Sequence, residues 1–491
     1  MTNQDQKQVV LLVGAKIDHD ARVINTARSI LQWGYKVTIL YADWAATEPV
    51  EGSIDAVQTL AVPVPYVLLK NHHARVAALA RPSWLSRLGL AYRNSAAFEL
   101  AESRLALRRV RAPLDGRSAL TWHRVLHHVR YVLWRRIRPR VEQVTHRRRS
   151  TWDWRTELAN VADLEAAFVE PLRGLNPDVI HVHDLALLWG AANAKKALTV
   201  PQKPVVLIYD ARAYLADSSG HNQYQRAAYR QMELAGLRHV DAVTTTSQAM
   251  ADQLVRDWRR EDPPAVIMNL PRQTGLVVDQ GPHLRADLGL APDVPLLVYS
   301  GWVKADRHLT ALVSAIKPLP RVHLAVICLP SAQYKLARRL QAHCAKVGLI
   351  DRVHLVDPVP LDAVVSYLAS ADLGLFAPAQ GANSYELALP GAVMDYLMAG
   401  LPVAVSELAT LGQFVQEHEL GQCFCPTAHQ TITAAIENVL GNLPEHRSAV
   451  KRLTAQDWFS WEAQAVKLRA VYAKSVAQSI GSASSGGTGH N

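Results

Sequence analysis

The chain has 491 residues, 49% of them apolar, and carries a formal net charge of +10. That length predicts about two to four domains, and the excess of base points to an anionic partner or surface. Four cysteines are too few for a disulfide framework, and no apolar run approaches the roughly 20 residues that span a bilayer.

The first residues, Met1-Thr-Asn-Gln-Asp-Gln-Lys7, are polar and lead straight into an apolar run. That argues against a signal peptide and for the cytoplasm. A strand is predicted at 9–13, a helix at 21–33 and a strand at 36–41. Between the first two lies Asp18-His19-Asp20-Ala21-Arg22. The plain reading of Asp20 is a helix N-cap.

Residues from about 70 to 155 break the pattern. Fourteen arginines between 104 and 149 face only Asp115 and Glu142. Trp122, Leu126, Val129, Leu133 and Ile137 recur among them at helical spacing. Such a segment can lie on an anionic bilayer, bind RNA, or pack with its arginines solvated.

Strands follow at 179–182, 205–209, 242–245 and 266–268, with helical patterns between. Asp178-Val-Ile-His181-Val-His183-Asp184 puts a His–Asp pair at a strand's carboxyl end, where ligands sit in open α/β sheets. A ligand contact and a histidine satisfied within its own turn stand at even odds on this evidence alone. Tyr209-Asp210-Ala-Arg212 ends the next strand. The polar stretch 279–282 reads as a junction, after which strands recur at 296–300, 324–328, 353–356, 373–376 and 403–405. Alternation of this kind means a parallel sheet flanked by helices, here twice over.

The segment Gly301-Trp302-Val-Lys304-Ala-Asp-Arg307 follows the first strand of the second half. Arginine binds phosphate through two parallel hydrogen bonds, whereas Lys304 reads more plainly as a solvated loop lysine. In the run from Asn383 to Ser406, a polar loop containing Glu386 ends at Pro390. A helix then closes at Ala399-Gly400, and Pro402 precedes a strand. The free N–H groups at that helix start favour a phosphate. Asp395, one turn in, can accept hydrogen bonds from a ribose. Together they make a seat for a nucleoside-diphosphate sugar. Cys423-Phe-Cys425 lacks the partners of a zinc site and reads as buried or free thiols. Residues 475–491 are rich in Ser and Gly, and disorder is expected there.

In order and spacing these motifs resemble the GT-B glycosyltransferases of the family 4 type, over residues 8–62 and 160–475. The family's donor segment often reads N-x-Y-x-x-x-L-P-N-K-x-x-E-Y-x-x-A-G-x-P-V. Here Ala392 replaces the Lys and Asp395 the Glu. The first Glu of the family's pair falls at Leu387, one position after Glu386. Asp178–Asp184 is similar to D-V-I-H-x-H-D, whose second His lies beside the reacting sugar. Asp20-Ala-Arg22-Val is similar to D-x-R-V. Of Y-D-x-H-E only Tyr209 and Asp210 remain, with Arg212 and Ala213 in the last two places. Of G-R-x-x-x-x-K-G, Trp302 replaces the Arg and Arg307 the Lys. Val356-Asp-Pro-Val-Pro360 is similar to F-x-G-x-V-P, a loop near the base. Trp461 to Tyr472 is similar to the helix that crosses back to the first domain.

The resemblance implies an α/β GT-B fold of two Rossmann-like domains facing a cleft. The N-terminal acceptor domain would be 1–280, carrying the Arg-rich helical insert, and the donor-binding domain 281–455. The crossing helix would be 456–475 and a disordered tail 476–491. It implies a transferase moving a sugar from a nucleoside-diphosphate sugar to a glycan or lipid-linked acceptor with retention. No cofactor and no metal are expected, although Asp18-His-Asp20 spells the metal-binding triplet of another glycosyltransferase fold. His183 and Asp20 would be catalytic. Gly301, Lys304, Arg307, Glu386, Pro390 and Asp395 would hold the donor. Arg22, Asp184, Asp210 and Arg212 would line the acceptor side. The insert would attach to the inner face of the plasma membrane, and nucleic acid is not expected as a partner. Two alternatives follow from the departures: a catalytically impaired scaffold that binds a sugar nucleotide or glycan, and a sugar-nucleotide epimerase on the same fold.

Overall fold

A computed structural model describes residues 6–65, 67–69, 154, 158–218, 221, 223–273 and 283–485. By its contacts the chain divides into two units, Pro65–Leu164 and a larger one comprising Met1–Val64 with Glu165–Asn491. The predicted insert and the 279–282 junction lie outside the described residues, save for the insert's Trp154. In the smaller unit, the Leu68 and Leu69 amides both donate to Asp163, each at 2.9 Å.

The larger unit holds two sheets. The first contains β1 (Gln8–Val13), β2 (Lys36–Asp43), β3 (Val50–Ile54), β4 (Val57–Pro63), β5 (Val179–Val182), β6 (Val206–Ala211), β7 (Ala242–Thr245) and β8 (Ala265–Val266). Its order is β3-β4-β2-β1-β5-β6-β7-β8, and only β3 is antiparallel to its neighbour. The second contains β9 (Leu296–Trp302), β10 (His323–Leu329), β11 (Val353–Val356), β12 (Leu373–Phe376), β13 (Val403–Ser406) and β14 (Gly421–Phe424). Its order is β11-β10-β9-β12-β13-β14, parallel throughout.

Parallel strands covered on both faces need continuous apolar runs rather than alternation. Val9-Val-Leu-Leu-Val13 meets that need, with every residue buried. The eleven strands and two helices predicted within 9–41 and 179–405 all form, within a few residues of their expected bounds. The hairpin β3–β4 and the edge strand β14 were not anticipated.

The helix α1 (Ala21–Gln32) packs against this core, and so does Trp461–Ser485 from the far end of the sequence. Trp461, Leu468 and Tyr472 are buried in the core of the first sheet. The Trp461 indole donates to Ser29 Oγ at 2.9 Å, and the Tyr472 hydroxyl bonds His181 Nδ1 at 2.8 Å. This is the crossing helix, but it does not stop at 475. It runs to Ser485, which corrects the expectation of disorder from 476. Packing overrides composition: Ser475 is buried, and Val476 packs against the core of the first sheet.

A buried acid in the first half sets a pH dependence. Glu233 lies in the helix Gln223–Leu237 and accepts from the Tyr209 hydroxyl at 3.0 Å and the Trp258 indole at 3.2 Å. Burial pushes its carboxyl up from 4.5 to about 7, against the two hydrogen bonds. A raised acid binds its proton more tightly in the folded state, so stability falls as pH rises through that window. The loss is on the order of 3 kcal/mol. Urea midpoints at pH 5 and pH 8 should therefore differ less in Glu233→Gln than in wild type. Equal pH slopes for the two proteins would exclude Glu233 as the source.

Candidate active site

Two groups of residues gather at the carboxyl ends of the two sheets. In the first half, Asp20 caps α1, its Oδ1 accepting the Val23 amide at 3.2 Å. Its Oδ2 accepts Arg212 at 2.5 Å, and Arg212 also donates to Asp184 Oδ1 at 3.0 Å. The other Asp184 oxygen accepts the Gly14 amide at 2.7 Å. Arg212, in the place of the resembling family's His, thus clamps the two turns after β1 and β5. Asp18 is exposed. Among the described residues no group of three or more His, Cys, Asp or Glu is placed to hold a metal.

Beneath this layer lies a buried network. Arg22 donates twice to Asp210, each bond 2.6 Å, and once to the Ile267 carbonyl at 2.7 Å. Asp210 also accepts Thr244 Oγ1 at 2.8 Å and pairs with His183 Nδ1 at 3.0 Å. Burial alone would raise its carboxyl, but the Arg22 guanidinium and the His183 hydrogen bond outweigh that and hold it well below the usual carboxylate range. An ionised Asp210 accepts the Nδ1–H of His183 and fixes the orientation of its ring. Nε2 is buried and has no hydrogen-bond partner. Arg22 and Asp210 were expected to line the acceptor side. Both are almost fully buried, as is His183, and the three form one network.

In the second half, β9 ends at Gly301-Trp302, and the turn Ala305–Arg307 follows. The Arg307 guanidinium lies 5.2 Å from the Phe376 ring centre and 4.8 Å from that of Tyr385. Its Nε and Nη1 are buried without a partner. The Tyr385 hydroxyl donates to Asp306 at 2.7 Å, tying the two loops together. Lys304 is exposed, and its ammonium rests over the Trp302 ring at 5.3 Å. Phe376, Tyr385 and Asp306 were not picked out as site residues, although Tyr385 is the Tyr of the quoted N-x-Y.

Pro390 caps the helix α2 (Gly391–Met398). A Cβ at Gly391 would lie 2.5 Å from the side-chain amide nitrogen of Asn269, which would have to move to admit a larger residue at this helix start. Glu386 is tied into its loop through both carboxylate oxygens. One of its oxygens accepts the Gly381 amide and the other the Ala409 amide, both at 2.8 Å. It braces the loop ahead of Pro390.

Asp395 lines a cavity of about 450 Å³ shared with Ala21, Asn25 and Arg28 of α1 and with Leu361, Asp362 and Val365. Burial pushes its carboxyl up to about 7. Arg28 closes one wall. It donates to Asp55 at 2.7 Å and reaches from the first half to Asp362 at 2.7 and 2.8 Å. Nothing in the sequence signals this pairing.

Two parallel sheets with ligand groups at their facing ends define the GT-B class. A model of the glycosyl transferase 4-like domain matches residues 127–269, and one of glycosyl transferases group 1 matches 294–442, together more than half of the chain. The chain belongs to this family of GT-B glycosyltransferases. No curated protein matches it by sequence. Among solved structures it is similar to sucrose-phosphate synthase from Thermosynechococcus elongatus, at 16% identity and a TM-score of 0.60 over 96% of this chain and 100% of that one. It is also similar to Anabaena HepE in complex with UDP, at 13% identity and a TM-score of 0.57 over 96% and 100%. A glycosyltransferase from Rickettsia africae follows, at 11% identity and 0.52 over 96% and 99%.

Proposed function

We propose that the protein transfers a sugar from a nucleoside-diphosphate sugar to a glycan or lipid-linked acceptor, with retention and without a metal ion. The observation that carries this is Arg307. A guanidinium with two buried nitrogens left unpaired is costly unless an anion completes it. The aromatic rings hold it in place without neutralising it, next to a loop that leads into the α2 N-terminus. A diphosphate supplies the missing charge, and the helix start adds N–H donors. The likeness to a protein solved with UDP supports the same ligand class.

The donor's ribose then meets Asp395 in the cavity, and the leaving diphosphate is stabilised by Arg307 and the helix start. Those charges do the work that a metal does elsewhere. His183 Nε2, held by Asp210, accepts a hydrogen bond from a sugar hydroxyl. Asp20 and Asp184, bridged by Arg212, line the acceptor side. Retention and the acceptor class rest on the family.

The test is turnover of a panel of UDP-, GDP- and ADP-sugars with membrane extract as acceptor, with and without EDTA. Transfer that survives chelation is expected, and in His183→Ala turnover should fall far more than donor affinity. Loss of transfer in EDTA, rescued by magnesium or manganese, would overturn the metal-free mechanism. Binding of a sugar nucleotide with neither transfer nor hydrolysis would make the protein a scaffold.

The stretch 104–149 attaches the enzyme to anionic bilayers at the inner face of the plasma membrane. This rests on composition, fourteen arginines against two acids. No helix among the described residues is long and apolar enough to cross a membrane. Each basic residue at an anionic surface contributes about 1 kcal/mol. Liposome co-sedimentation should show salt-sensitive binding that is lost when Arg135, Arg136, Arg138 and Arg140 become Glu. Equal binding to neutral and anionic vesicles would refute the attachment.

A further inference from the structure

We propose that Ser247 is a positioning residue for the donor, a clasp by which the first half holds the loop 383–390 of the second. The inference rests on the donor reading above and adds to it a residue from the opposite half. Ser247 stands just past β7, caps the helix Gln248–Trp258 and is 1% exposed. Its Oγ accepts the Met250 amide at 3.1 Å and donates to the Leu387 carbonyl, 140 positions away, at 2.5 Å.

A serine hydroxyl has one proton to give. With the Met250 amide on a lone pair, that proton goes to Leu387. The Leu387 carbonyl follows the short helix Asn383–Glu386, and a helix end leaves such acceptors over. A second contact comes from the same half: the Asn383 amide donates to Asp217 Oδ2 at 3.4 Å, and Asp217 is itself paired with Arg226 at 2.5 Å. Asn383 and Leu387 flank Tyr385, whose ring packs on Arg307 and whose hydroxyl bonds Asp306.

The clasped piece therefore joins the ring that carries Arg307 to Pro390, the cap of α2. Within the second half, Glu386 ties it to the Gly381 and Ala409 amides. Ser247 adds a hold that exists only while the two halves are together. Ordering a loop before its ligand arrives lowers the cost of binding. Loss of the Ser247 bond thus weakens the diphosphate seat, although Ser247 itself need not touch the ligand.

Three substitutions separate this bond from the helix cap. Ser247→Ala removes both. Ser247→Asp keeps the cap but offers no proton to Leu387, and Ser247→Thr keeps both. Calorimetry on the full chain with UDP, GDP and ADP identifies the nucleotide that binds best. Its Kd should rise about fivefold in Ser247→Ala, the worth of one hydrogen bond. It should rise at least as much in Ser247→Asp and stay near wild type in Ser247→Thr. Without nucleotide, hydrogen exchange of the Tyr385, Glu386 and Leu387 amides, which bond the Ala382 and Asn383 carbonyls, should quicken in the Ala and Asp variants. Wild-type affinity in Ser247→Asp would leave Ser247 a helix cap only and overturn the proposal, and so would unchanged exchange in both variants. If wild type binds none of the nucleotides while exchange still quickens, the donor reading has failed and the clasp is structural only.

Discussion

Asp210→Ala is expected to cost about 3–5 kcal/mol of stability, the range for stranding one partner of a buried ion pair. The substitution leaves the Arg22 guanidinium in the core with one carbonyl acceptor, that of Ile267, and leaves His183 Nδ1 and Thr244 Oγ1 without their partner. Replacing Arg22 and Asp210 together by Met and Leu should recover much of the loss, because both charges then leave the core. The carboxyl is depressed in the fold, so its contribution is complete above 3.8 and disappears only as pH falls through the lower folded value. Urea unfolding of the single and double variants measures this. A loss below about 1 kcal/mol in the single variant would mean that water replaces the carboxylate and that the network is not closed.

Arg307→Ala should weaken nucleoside-diphosphate binding by about 1.5–3 kcal/mol, the range for hydrogen bonds to a charged group. That is roughly a 10- to 150-fold rise in Kd. The same variant should not lose stability, since it removes a guanidinium that has two buried nitrogens without a partner and packs on the Phe376 and Tyr385 rings. A residue that serves binding at the expense of folding shows this opposite pair of effects. Arg307→Lys should restore only part of the affinity, because an ammonium cannot lie flat between two rings or bond in a fork. Calorimetry showing unchanged UDP and GDP affinity in Arg307→Ala would remove this residue from the site.

The parts of the fold that could be read from sequence are those whose burial is written in continuous runs, such as 9–13 and 403–405. The β3–β4 hairpin escaped because Val50-Glu-Gly-Ser-Ile54 is an exposed edge strand without a buried face. The end of the last helix escaped because Ser and Gly mark coil by composition, whereas neighbours in the core decide otherwise. Within the site, strand ends announced His183, Asp184, Asp210 and Arg307. What the sequence does not carry is partner choice. Arg22 and Asp210 are 188 positions apart, and Arg28 and Asp362 are 334 apart. Arg22 meets Asp210 only once the first sheet has formed, and Arg28 meets Asp362 only once the two halves come together.

The crossing helix has a consequence for how the protein is made. Trp461, Leu468 and Tyr472 fill the core of the first half, yet Tyr472 follows its partner His181 by 291 positions. During synthesis the first half leaves the ribosome with a gap in its interior, and it must wait for the whole second half to emerge before the gap is filled. Early strands are thus held in a partly open state while the later ones fold. A chain that stops before Trp461 leaves that part of the core unfilled.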